Sequence, residues 1–347
     1  MKPVIKNIIK IIAFSAIGIL LFHCFTQAFH FKYGKSIECS YDLPADSVDV
    51  LIVGSSHAYR NINPAVLYEN SGITGYVAGS ASQYVWISYY YIKELLKTQK
   101  PEVIILECYK IYSQVDSTED SLTIRAASGM KMSKNFIDMI NTSVGDADNK
   151  FDYYLMFPWY HSRYREINES DFKPYFGKEL YKNYLGYLPI RKSLEMEIPD
   201  GIEKIEKKKD LTDRAIEYLD KIRELAQEKD IELLFVLSPF CEKAAERQPY
   251  YNSLAEYADH YQIPLIQGNY LYEELGLDGN TDFGRGNHLS KTGADKFTLY
   301  LNNYLNEHYS LDDHRGDPYY QRWEENMKYM QNSGNDEPDA EDVEDDD

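Results

Sequence analysis

Cysteine is scarce: Cys24, Cys39, Cys108 and Cys241 are the only four in 347 residues. They have neither the close pairing of a metal site nor the density of a disulfide framework, so neither a metal centre nor a structural disulfide is expected. Basic charge is short as well. A formal net charge of −19 argues against the clustered lysines and arginines that a phosphate backbone demands, and so against nucleic acid as a partner. Nearly half of that excess lies in Asp336–Asp347, which is almost wholly acidic and has little to bury, so it reads as a solvated, disordered tail. No internal repeat is visible, and no small-x-small cleavage site follows the N-terminal apolar run.

That run is the first positive feature. Lys2, Lys6 and Lys10 precede Ile11–Phe22, and apolar character continues to Phe29. A helix from about Ile8 to Phe29 is just long enough for a hydrocarbon core of about 30 Å, which predicts a single span within residues 1–30. Cys24 stands where a lipoprotein signal would place it, although bulky Phe22 and His23 suit that processing poorly. The basic flank holds the N-terminus in the cytoplasm and puts everything after about His30 outside the cell membrane.

A 44% hydrophobic content supports a substantial core in the remainder. After a stalk over residues 31–45, apolar strands alternate with amphipathic helices, the pattern of an α/β fold with a parallel sheet covered on both faces. Strands are expected at Val48–Val53, Gly75–Ala78, Val103–Leu106, Ile231–Leu237 and Ile263–Ile266. Helices are expected at Pro64–Asn70, Tyr84–Lys97, from Leu211, Ala244–His260 and Thr292–His308. The domain is assigned to 46–310 and a C-terminal extension with the acidic tail to 311–347. Within the domain the alternation stops at about 112–210, longer than ordinary connections. This stretch is rich in Tyr and Phe and is expected to be an inserted helical cap.

The strand Val48–Val53 ends abruptly in Gly54-Ser55-Ser56-His57, which delivers a serine to the carboxyl edge of the sheet, where open α/β proteins keep their sites. Its partner lies far downstream, in Asp282-Phe283-Gly284-Arg285-Gly286-Asn287-His288-Leu289-Ser290, just ahead of the last helix. Acyl transfer needs such a pair, because a weakly nucleophilic hydroxyl must lose its proton as it attacks a carbonyl. With Ala78-Gly79-Ser80 between them, these blocks resemble the SGNH or GDSL hydrolase family. The likeness is strongest to membrane-anchored Gram-positive members related to the D-alanine transfer protein of teichoic acid decoration.

The resemblance implies a flavodoxin-like three-layer sandwich with Ser56 as nucleophile and His288 as base. The backbone N–H groups of Ser56 and Gly79 would form the oxyanion hole, and no cofactor is implied. Two departures stand out. Arg285 occupies the place of the usual aspartate and cannot accept an imidazole N–H, leaving Asp282 or a backbone carbonyl to orient the ring. Glu107-Cys108-Tyr109-Lys110 stands where the family has an oxyanion asparagine. His57, Arg60, His161 and Arg163 are candidate substrate contacts. The function expected is a serine esterase or O-acyltransferase acting on acyl esters, acetyl above all, of cell-envelope glycans, with a membrane-bound O-acyltransferase as partner. The alternative is a non-catalytic envelope protein that binds glycan or that partner.

Overall fold

The computed structural model describes residues 2–29, 35–145, 150–156, 159 and 185–332. Five parallel strands, β1 (Val50–Gly54), β2 (Gly75–Gly79), β3 (Val103–Glu107), β4 (Glu232–Leu237) and β5 (Leu265–Gln267), lie in the order β2-β1-β3-β4-β5. Each of β1, β2 and β3 is buried along its whole length. Alternate residues feed two separate cores. Leu51 and Val53 join Ile104, Leu106 and Phe235 on one face, while Val50 and Ile52 join Ile105, Leu234 and Val236 on the other. Burial on both faces explains why these strands read as continuous apolar runs.

Twelve α-helices of four residues or more are described. They are α1 (Lys2–Phe29), α2 (Lys35–Ser40), α3 (Ser56–Asn61), α4 (Pro64–Ser71), α5 (Val85–Leu95), α6 (Asp120–Ser128), α7 (Lys134–Val144), α8 (Lys150–Leu155), α9 (Asp213–Lys229), α10 (Ala244–His260), α11 (Lys291–His308) and α12 (Gln321–Asn332). Local chemistry sets their limits. Pro64 opens α4 behind the Asn63 cap, and Gly72 closes it in the left-handed region at φ +72°. Helices α5 and α9 cover one face, and α3, α4 and α11 the other. The parallel three-layer architecture is therefore as expected.

Helix α1 contains Val4–Phe22, 19 residues of mean hydropathy 2.1, long and apolar enough to cross a membrane. The expected stalk is part of the fold from Lys35 onward: α2 docks on β2 with Ile37 fully buried, because Ile37 and Leu43 supply apolar anchors. In the insertion, α7 packs against α5 and α8 against α7. The chain then passes the outer edge of β2, where Val77 N–H donates to the Leu185 carbonyl at 3.0 Å. Gly186 is required there: φ is +84°, and a Cβ would lie 1.9 Å from the Val77 oxygen. Cys39, Cys108 and Cys241 are buried free thiols. His161 and Arg163, like the acidic tail, lie outside the described residues.

Candidate active site

Gly54 ends β1 where no side chain fits, since a Cβ would come within 2.7 Å of the Glu107 Cβ on β3. Ser55 caps α3, its hydroxyl accepting the His57 N–H at 3.3 Å, and Ser56 opens the helix partly buried. From the other end of the chain, Gly286 (φ +64°) and Asn287 (φ +62°) form a tight left-handed turn. The turn is closed by a Phe283–Leu289 bridge and by Gly284 N–H donating to the His288 carbonyl. It sets His288 Nε2 at 2.8 Å from Ser56 Oγ. His288 Nδ1 lies 3.0 Å from the Arg285 carbonyl. A carbonyl only accepts, so Nδ1 carries the proton and the unprotonated Nε2 faces the Ser56 hydroxyl.

Asp282 does not take the orienting role. Its buried carboxylate accepts the Asp278 N–H at 2.7 Å and Lys296 Nζ at 2.6 Å, facing α11 and not the imidazole. The reason is register. Phe283 pairs with Leu289, and Ser290 N–H donates to the Asp282 carbonyl, so Asp282 lies beyond the bridge that closes the histidine turn. The Gly79 assignment is corrected too. Its N–H donates to Ser36 Oγ at 3.1 Å, and the Ser36 hydroxyl returns a hydrogen bond to the Gly79 carbonyl. Like Val77 N–H, it points away from β1 at the outer edge of the sheet. The Ser56 N–H has no hydrogen-bond partner among the described residues and is open to an incoming acceptor.

Arg60 is fully buried and donates to the Leu188 carbonyl at 3.2 Å, while Leu188 N–H returns a bond to the Tyr59 carbonyl. It fastens the end of the insertion to α3 instead of facing substrate. His57 is likewise sealed, 1% exposed, its ring stacked 3.4 Å from that of Tyr109 and 4.6 Å from that of His288. Burial first, then the positive fields of His288, Arg247 and Lys110, hold its pKa well below the usual histidine range. It is a neutral wall of the site.

Further side chains hold the site together, of which Asn61 and Ser238 belong to no motif. Asn61 Oδ1 accepts Leu289 N–H at 2.9 Å, beside His288, and its Nδ2 donates to Ser238 Oγ at 2.8 Å. Ser238 and Ser55 place their hydroxyls 3.5 and 3.2 Å from the two oxygens of Glu107. Burial pushes the Glu107 carboxyl up to about 8, against the hydrogen bonds from Tyr109 N–H and Ser55. Asn287 Oδ1 accepts both Cys241 N–H and Glu242 N–H, which holds the turn on the far side of the histidine. The one sequence signal for these residues is position: Glu107 and Ser238 end or follow strands, and Asn287 adjoins His288.

No family model and no curated protein matches the chain. Among solved structures it is similar to one from Bacteroides fragilis described as a "putative acylhydrolase", at 14% identity and a TM-score of 0.37, over 77% of this chain and 92% of that one. A likeness of that degree carries no argument about chemistry, which rests on the geometry above.

Proposed function

We propose that this chain is a membrane-anchored, extracytoplasmic serine esterase or O-acyltransferase of the SGNH type, acting on acyl esters, acetyl first, of cell-envelope glycans. The observation that supports it is the Ser56–His288 contact of 2.8 Å, with the imidazole held in the base-competent tautomer by the Arg285 carbonyl. In the first step His288 Nε2 takes the Ser56 proton as Oγ adds to the ester carbonyl, and the Ser56 N–H faces the developing oxyanion. Collapse breaks the ester bond, and the imidazolium returns the proton to the departing sugar oxygen. Water or a second sugar hydroxyl then attacks the acyl-enzyme by the same route. The neutral carbonyl fixes the tautomer but stabilises the imidazolium less than a carboxylate does. The apolar run Val4–Phe22 of α1 supports anchorage, and its basic flank supports the outward orientation.

Labelling of the full-length protein in detergent by a fluorophosphonate probe tests the reading. Wild type is expected to label and Ser56→Ala to remain unlabelled at nearly unchanged melting temperature, because Ser56 is only partly buried and its small side chain contributes little packing. A second reading, a glycan-binding protein that has kept the fold, is favoured by one observation, the engagement of Gly79 N–H by Ser36. Absence of labelling in wild type would select it.

A further inference from the structure

Beside the Ser56–His288 pair, two cations rest on tyrosine faces. Arg247, in the first turn of α10, places its guanidinium carbon 4.2 Å from the ring centre of Tyr112 and 4.9 Å from that of Tyr109, and Nη1 donates to the Tyr109 hydroxyl. Lys110 Nζ reaches Ser82 Oγ at 3.2 Å and lies 5.5 and 5.9 Å from the ring centres of Tyr84 and Tyr112. In a chain of net charge −19 carboxylates are plentiful, yet none among the described residues lies within ion-pair distance of Arg247. The guanidinium N–H groups not used on Tyr109 have no hydrogen-bond partner there either, and none of them is sealed from solvent.

The cluster is joined to the histidine turn. Tyr109 OH also receives Asn287 Nδ2 at 3.4 Å, from the residue before His288. The Tyr109 ring stacks on His57, which in turn packs on His288. Two rings thus separate Arg247 from the dyad. An arginine fork left open in such a place matches the paired oxygens of a carboxylate or phosphate, and a positive lip raises the local concentration of anionic substrate.

We propose that Arg247, flanked by Lys110, is an anion subsite, and that the acyl ester handled at Ser56 belongs to a glycan carrying carboxylate or phosphate on a neighbouring unit. This rests on the acyl-transfer reading above and names its substrate class. The test compares kcat/KM of the full-length protein for an acetylated oligogalacturonate, an acetylated sugar phosphate and an acetylated neutral xylo-oligosaccharide. Wild type is expected to prefer at least one anionic ester by about tenfold or more, the value of a charge-assisted hydrogen bond, and added salt is expected to erode the preference. Arg247→Gln is expected to bring the anionic-to-neutral ratio to about one, whereas Tyr109→Phe, which keeps the guanidinium, retains it. The order of the two anionic esters identifies carboxylate or phosphate as the group read. Equal rates for all three in wild type, or a parallel fall in Arg247→Gln that leaves the ratio intact, overturns the subsite. Calorimetric titration of the Ser56→Ala protein with unacetylated oligogalacturonate and with inorganic phosphate separates this from the fate of the esterase reading. Binding of either that Arg247→Gln abolishes in the same background supports the subsite even if no ester is turned over, and absence of both overturns it.

Discussion

At residue scale the site turns on what faces His288 Nδ1. The chain bends its own backbone back through Gly286 and Asn287, so the Arg285 carbonyl meets the ring at 3.0 Å. Two substitutions separate the turn from Asp282. Gly286→Ala forces a side chain into the left-handed region and sets a Cβ 2.8 Å from Nδ1, which displaces the imidazole. Turnover is expected to fall by about a hundredfold, the cost of misplacing a catalytic group by about 1 Å. Asp282→Asn weakens the buried pair with Lys296 and is expected to cost about 1–3 kcal/mol of stability, with turnover changed only a few-fold. Ester hydrolysis and thermal denaturation of both variants check this. Loss of turnover in Asp282→Asn at unchanged stability would show that the aspartate, and not the carbonyl, serves the histidine.

At the scale of elements, the carboxyl ends of β1, β3 and β4 meet in one buried network, Ser55–Glu107–Ser238–Asn61, which ends on the backbone beside His288. Its titratable member has a measurable consequence. Glu107 has an ordinary value near 4.5 in the unfolded chain and about 8 in the fold. Between those values the native state keeps a proton that the unfolded state releases, so its contribution is full below about pH 4.5 and is lost as pH rises through about 8. Glu107→Gln is expected to flatten that decline in urea denaturation curves taken across the range, and an unchanged slope would place the titration elsewhere. The same elements show what sequence reveals. Strands buried on both faces announce themselves as apolar runs, and α10 occupies the expected Ala244–His260. Ser56 and His288 are visible because each sits beside a strand end or a helix start. Asn61 and Ser238 are not, since their roles depend on a meeting across 177 residues. Nor is the direction of the Gly79 N–H visible, because strand parity at a sheet edge decides it and composition carries no trace of parity.

For the whole molecule, the vulnerable place is that edge. β2 is an outer strand, and an uncovered outer strand is a template for pairing with another chain. Three distant segments cover it: Ser36 on Gly79, Leu185 on Val77 and Trp323 on Gly75, whose carbonyl accepts the indole N–H at 2.8 Å. The region after residue 310 is therefore structural as far as α12, which packs on α4 with Trp323 fully buried and Tyr319 OH donating to the Ala45 carbonyl. Trp323→Ala removes a large buried side chain and is expected to cost about 3–5 kcal/mol. Trp323→Phe keeps most of the volume but leaves the Gly75 carbonyl without its donor, so about 1–3 kcal/mol is expected. Both variants reopen one end of the edge strand, so self-association is expected to follow stability loss in the order Ala, Phe, wild type. Urea denaturation with sedimentation velocity on the full-length protein in detergent measures the two together. Destabilised variants that stay monodisperse would mean that Ser36 and Leu185 are enough to protect the edge.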